Sequence, residues 1–307
     1  MSSGPSPSTN FIKRSDVISW AVVLAHITVV FLPLYLATIH PSGWRLLFYS
    51  LWFGVGMNGL LNLLHECSHL HVFKKQAGSI FLGRWVLGPL VLADFDGYQK
   101  RHWDHHRKIG TEDDPKYVYR VSIRGNRFVG LVLRCLFLAE AVKKFSVQVP
   151  SKNETKISGG FWRSWVVKTL GMQALLFTSV YLTALAAAPQ NIFLALQNAL
   201  TTYAVVYGYG LAAITLLVSS LRAIAEHQIG GDNALVEGNA ALRNFSFGCF
   251  SGFLLGAYGF KDHASHHRDP GIPYYRLEAK TRELVSENKA FSPKTPYEKI
   301  LLSLILP

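Results

Sequence analysis

The sequence predicts an all-α integral-membrane fold, with about four transmembrane helices in two hairpins and a histidine-rich cap on the cytosolic side. Three observations carry this expectation. Four stretches long enough to span a bilayer hold no Lys, Arg, Asp or Glu, and charged residues are only 16% of the chain, against about 25% in soluble proteins. The 31 basic residues outnumber the 19 acidic ones, and 17 of them crowd between His65 and Arg163. Nine of the twelve histidines fall in four places, all on the expected cytoplasmic side.

The elements follow in order. Ser2 to Asn10 is a Ser/Pro/Gly tail expected to be disordered, so residues 1–10 are set apart from a membrane domain at 11–285 and a C-terminal tail at 286–307. Val17 to Ile39 runs 23 residues without a formal charge, and Leu46 to Leu64 runs 19. Thr169 to Ala188 runs 20, and Asn191 to Leu221 runs 31. Each suffices for a hydrocarbon core that takes about 20 helical residues. The first is too long for the apolar part of a signal peptide and lacks a clear small-residue cleavage site, so it reads as a retained span. The fourth would be about 46 Å long as a helix against a core of about 30 Å, so its end should project beyond the bilayer or the helix must tilt.

His40-Pro41-Ser42-Gly43 and Pro189-Gln190 join the spans into two hairpins, with Arg45 the one charge near these joints. Lys13, Arg14, Lys74, Lys75, Arg84, Lys100 and Arg101 flank the first hairpin on its other side, and Arg163, Lys168, Arg222 and Arg243 flank the second. Positive charge stays inside, so both termini and the long middle segment are expected in the cytoplasm. Ile80 to Phe95 and Phe245 to Phe260 are shorter apolar stretches, expected to be interfacial or re-entrant. Phe128 to Val142 has the pattern of an amphipathic surface helix, and Ile300 to Pro307 is too short to cross.

The net charge of +12 admits a nucleic-acid partner or an anionic membrane leaflet. The basic residues form no helix-turn-helix, finger or stacking-platform pattern, so the membrane is preferred and no nucleic acid is expected. Cys67, Cys135 and Cys249 are widely spaced with no C-x-x-C, which fits a reducing compartment.

The histidines carry the chemistry. They stand as His65 and His69 after the second span, His102, His105 and His106 in an H-x-x-H-H group, His227 past the fourth span, and His263, His266 and His267 in a second H-x-x-H-H group. Residues at i, i+3 and i+4 share one helix face, so each group can aim its imidazoles at one point. An even number of spans separates the second place from the third, which returns the chain to the same side. One ion takes four to six ligands, so nine imidazoles suit two metal sites. His71 lies off the shared face, and His26 and His40 read as structural. Glu66, Asp104, Glu226 and Asp262 neighbour the ligands and are candidates to accept the second ring N–H, unless they pair with arginines. Asp113 and Asp114 read as loop or capping residues. Imidazole alone leaves zinc, copper, iron and nickel open.

His65-Glu66-Cys67-Ser68-His69, His102-Trp103-Asp104-His105-His106 and His263-Ala264-Ser265-His266-His267 resemble the three histidine boxes of the membrane fatty acid desaturase family. Gly110 to Pro115 after the second box and Asp269 to Leu277 after the third resemble that family's flanks, and Ala225-Glu226-His227 resembles its additional ligand. The resemblance spans roughly residues 17 to 285. One branch carries an Asn, linked to iron through water, where this chain has Ala223.

The resemblance implies a di-iron centre, molecular oxygen as co-substrate and a lipid or acyl substrate. It also implies a separate electron donor of ferredoxin, rubredoxin or cytochrome b5 type with its reductase. No cysteine spacing for an iron–sulfur cluster and no G-x-G-x-x-G opening a βαβ unit is present to supply those electrons. Arg101, Arg107, Lys108, Lys143 and Lys144 are candidates for the carrier's docking surface, or for contact with the membrane. The expected activity is oxygen-dependent desaturation of a fatty acyl chain, in a bacterial inner membrane. The alternative is a hydroxylase, or a desaturase of a small secondary metabolite, on the same scaffold. A transporter would favour ionisable residues inside the spans, which carry only neutral His26.

Overall fold

The computed structural model describes residues 15–109, 111, 113–115, 125–147, 159–227, 242–246, 255–287 and 295–305. The first hairpin is α1 (Asp16–Ile39) and α2 (Gly43–Ser68). Next, α3 (Gln76–Phe81) runs through a π-helical turn at Leu82–Leu87 into α4 (Gly88–Leu90), and α5 (Phe95–Lys108) leaves it at a bend of 105°. After α6 (Asn126–Leu136) and α7 (Ala139–Val147) comes the second hairpin. Its arms are α8 (Gly159–Ala187) and a continuous helix made of α9 (Ile192–Thr202), a π-helical stretch at Tyr203–Thr215 and α10 (Leu216–Glu226). Three further helices follow: α11 (His263–Arg268), α12 (Tyr274–Glu287) and α13 (Tyr297–Ile305). Among the described residues the strands are two-residue pieces, Phe245–Ser246 parallel to Thr295–Pro296.

Among the described residues, four helices are long and apolar enough to cross a membrane: Asp16–Ile39, Gly43–Ser68, Ser164–Ala187 and Ile192–Glu226. They expose large apolar side chains such as Leu47, Leu51, Leu170, Leu175 and Phe193, an outward surface suited to lipid rather than water. The Ile80 to Phe95 stretch lies in the bent pair, whose two arms have the form of a broken span or a re-entrant loop. Leu92 sits in the left-handed region at φ 56°, and Asp94 then caps α5 by accepting the Gly97 amide at 2.7 Å. Of Phe245 to Phe260, residues 247–254 lie outside the described residues, as does the Ser2 to Asn10 tail.

The expected single helix over Phe128 to Val142 is in fact two. Leu138, left-handed at φ 65°, breaks it between α6 and α7. Phe128, Leu131 and Cys135 are buried while Val129, Leu133, Phe137 and Val142 are exposed, so the amphipathic pattern is kept across the break.

The bundle is tightest where α2 meets the π-helical stretch. A Cβ on Gly54 would lie 2.7 Å from the Gly210 carbonyl, and one on Gly210 would lie 3.2 Å from the Ser50 carbonyl. Only glycines let the two backbones approach so closely. The widened helical turns free carbonyls, and side chains take them up. Ser50 donates to the Val205 carbonyl at 3.0 Å, and Thr215 lies 3.0 Å from both the Gly54 and Gly210 carbonyls. These glycines therefore serve packing of the helices.

Candidate metal centre

The ends of α2 and α10, together with α5 and α11, bring the box residues together. His65 occupies the last turn of α2 and His69 caps its end, which is closed by Ser68 Oγ donating to the His65 carbonyl at 2.6 Å. Leu70 turns the chain away in the left-handed region at φ 64°, a conformation disfavoured by about 1–2 kcal/mol for a residue with a Cβ. His102, His105 and His106 lie on α5. His227 follows α10 directly, and its Nδ1 lies 2.7 Å from the Ala223 carbonyl, which turns Nε2 inward.

The third box is set by a turn at Tyr258 (φ 56°) and Gly259 (φ 76°), both left-handed. Any side chain on Gly259 would also meet Leu277 at 2.7 Å. Polar pins hold α11 from behind. Ser265 receives the Thr281 hydroxyl at 2.7 Å and the Asn244 amide nitrogen at 3.1 Å, and its own amide donates to Asn244 Oδ1 at 3.2 Å.

The nine imidazoles converge in two adjacent groups. Ligand atoms of His65, His69, His102, His106 and His266 all lie within 4.8 Å of one another. Those of His105, His227 and His267 do the same, as do those of Glu226, His227 and His263, so the last two sets share His227. His69 Nε2 is 2.7 Å from His102 Nε2, His106 Nε2 is 3.0 Å from His102 Nε2, and His227 Nε2 is 3.3 Å from His105 Nε2. The His106 and His267 rings stack at 4.1 Å, joining the groups. Donors bound to one ion at about 2.1 Å lie about 3 Å apart when cis, so such crowding is the geometry of a ligand shell.

Two further observations fit a metal pair. Both ring nitrogens of His267 are buried and make no hydrogen bond, a costly state unless an ion takes them up. Burial, reinforced by His106, His263, His105 and His266 around it, holds this imidazole well below its usual pKa, in the neutral form that binds metal. Charge points the same way. Glu66, Asp114, Glu226 and Asp262 are all buried, with Arg222 3.4 Å from Glu226 and Lys261 3.4 Å from Asp262. Buried carboxylates beside the centre favour cations there.

The four carboxylates expected near the ligands divide. Glu66 Oε1 is 3.1 Å from His65 Nδ1 and is also met by the Tyr274 amide. Glu226 Oε2 is 3.8 Å from His263 Nε2. Asp262 is buried beside Lys261, which also reaches Glu278 at 2.8 Å. Asp104 pairs instead with Arg107, whose side chain is exposed. Helical geometry explains this: Asp104 precedes His105 on α5 and is rotated about 100° from it.

Sequence reasoning missed two residues. Asp114, taken as a loop residue, accepts the His105 Nδ1–H at 2.7 Å with both side chains fully buried. Its signal was the acidic run Glu112-Asp113-Asp114 closed by Pro115 just after the box. Tyr297, in the supposed tail, stacks on Phe245 at 3.7 Å and reaches Glu226 Oε1 at 3.4 Å. No local pattern announces it. His71 stacks beside His69 at 6.0 Å and stands outside the three ligand sets. His26 bonds the Tyr258 hydroxyl at 2.6 Å from within α1, and His40 is exposed at the hairpin.

Span-length helices topped by converging histidines define a helical membrane protein whose cap can hold metal. A model of the fatty acid desaturase family matches residues 42–295, and the chain belongs to that family. No curated protein matches it.

Proposed function

We propose that this protein is an oxygen-dependent di-iron desaturase that introduces a double bond into a fatty acyl chain. The observation that carries the reading is the convergence of nine imidazoles into two adjacent groups at one end of the span-length helices. Family membership supports chemistry of the desaturase and hydroxylase type on this scaffold. His65, His69, His102, His106 and His266 hold one metal position, and His105, His227, His263 and His267 the other. Two irons would supply the oxygen-activating redox chemistry that protein side chains lack.

The chain's own residues position and insulate. Glu66 and Asp114 accept N–H groups from His65 and His105, fixing tautomer and ring angle so that Nε2 faces the centre. Tyr258, Phe260 and Leu277 pack against His65, Glu66, His263 and His266 and leave no room for water there. Lipid-exposed spans put the site beside its substrate's own solvent, the bilayer.

The basic flanks support, by the positive-inside rule, an orientation with termini and metal centre in the cytoplasm, and the proposed location is a bacterial inner membrane. Electrons come from a separate ferredoxin-, rubredoxin- or cytochrome b5-type carrier and its reductase.

The test is expression in a host lacking the activity, with lipid and metabolite profiling by mass spectrometry, with and without oxygen. An acyl product lacking two hydrogens, formed only with oxygen, is expected. An acyl product that gains a hydroxyl establishes the hydroxylase, and a non-lipid product establishes a small-metabolite desaturase.

A further inference from the structure

Glu226 differs from the other buried carboxylates in which face of an imidazole it meets. Asp114 and Glu66 approach Nδ1 of their histidines at 2.7 and 3.1 Å, within hydrogen-bonding range. For His105 the opposite nitrogen, Nε2, is the one that faces His227 in the centre. Glu226 instead meets Nε2 of His263, and at 3.8 Å. That is too long for a hydrogen bond. It falls within the separation of two donors sharing one ion at about 2.1 Å, which runs from about 3 to 4 Å as the angle at the metal opens. The same carboxylate forms a set with His227 and His263 whose ligand atoms all lie within 4.8 Å.

From these contacts we infer that Glu226 is itself a metal ligand, giving the metal position at His227 and His263 a carboxylate oxygen beside its imidazoles. This rests on the di-iron reading above.

The surroundings hold the carboxylate in that pose. Arg222, one helical turn earlier on α10, places Nε 3.4 Å from Oε1. Tyr297 brings its hydroxyl to the same oxygen at 3.4 Å. Both contacts fall on Oε1, whereas Oε2 is the oxygen 3.8 Å from His263 Nε2. Arg222 is itself fixed, stacked on the Phe260 ring at 4.0 Å and donating to Asn62. Tyr297 lies past residue 295, where the family match ends, so this clamp draws on a part of the chain outside it.

The consequence is chemical inequivalence. One position would have imidazoles alone, and the other, at His227 and His263, would include an anionic oxygen, a harder donor.

The test uses the full-length protein in detergent, loaded with ⁵⁷Fe, and reads iron content and Mössbauer spectra. The wild type should hold two irons per chain in two distinct quadrupole doublets. Glu226→Gln keeps shape and removes the anionic oxygen; it should change one doublet only, or lower iron from two to one per chain. Two irons with both doublets unchanged in that variant would overturn the inference and leave the di-iron reading standing. Stoichiometric zinc or a single iron in the wild type would sink both. Glu226→Gln leaves the partly buried Arg222 without its carboxylate. If it fails to fold, Arg222→Gln/Glu226→Gln removes both charges, and its spectra are judged by the same outcomes.

Discussion

His105 donates its Nδ1–H to the Asp114 carboxylate at 2.7 Å, and neither side chain has any solvent exposure. The bond crosses from α5 to the loop after it and leaves His105 Nε2 facing His227 Nε2 at 3.3 Å. Asp114→Asn keeps the size but loses the charge-assisted bond. Iron affinity or turnover should fall about 10–100-fold, the usual effect of removing such a partner. Competition against a graded chelator measures it; unchanged iron retention would show that His105 orients itself.

Replacing His105 or His266 with Ala should abolish turnover while the protein still inserts, because insertion depends on the uncharged helices and not on the cap. His71→Ala should leave both iron and turnover largely intact, since His71 belongs to none of the ligand sets. Metal content and product formation on the same preparations decide between the two. A dead His71 variant that has lost its iron would contradict the geometry.

Gly54→Ala tests the packing of α2 on the π-helical stretch. Its new methyl would sit 2.5 Å from Ile214 Cβ and 2.7 Å from a backbone carbonyl, so the helices must separate. A loss of about 1–3 kcal/mol is expected for such overpacking. Gly171→Ala on α8 meets nothing within 4 Å and should be neutral or slightly stabilising. Thermal unfolding of the two variants in one detergent makes the comparison, and equal midpoints would refute the close approach.

Turnover should require an added carrier and reductase, because the chain offers neither iron–sulfur spacing nor a dinucleotide fingerprint. Arg101 and Lys108 are exposed on α5, next to the second box, and Lys143 is exposed on α7. An acidic carrier should therefore dock faster at low salt. Steady-state rates with substrate, oxygen and NAD(P)H, with and without carrier and across ionic strength, test both parts. Sustained product without a carrier removes the first, and a salt-independent rate removes the second.

Much of the architecture was legible because its signals are local. Uncharged runs of 19 to 31 residues mark helices that must lie in lipid, and i, i+3, i+4 spacing marks imidazoles that share a face. Neither requires knowledge of what packs against what. Composition could not show that the fourth helix relaxes into π-helical turns at Tyr203–Thr215. That stretch packs against Gly54, far away in sequence, which admits the Gly210 backbone.

The partition of the ligands was likewise decided in three dimensions. His105 and His106 are adjacent in the chain yet belong to different groups, because successive helical residues point about 100° apart. The same rotation turned Asp104 outward to Arg107, although its place between ligands made it look like a partner. Asp114 and Tyr297 entered the site through a loop and a C-terminal helix, where no period constrains a side chain. Which histidines the chain owns is a property of its sequence. Which carboxylate meets which ring, and from which side, follows from long-range packing alone.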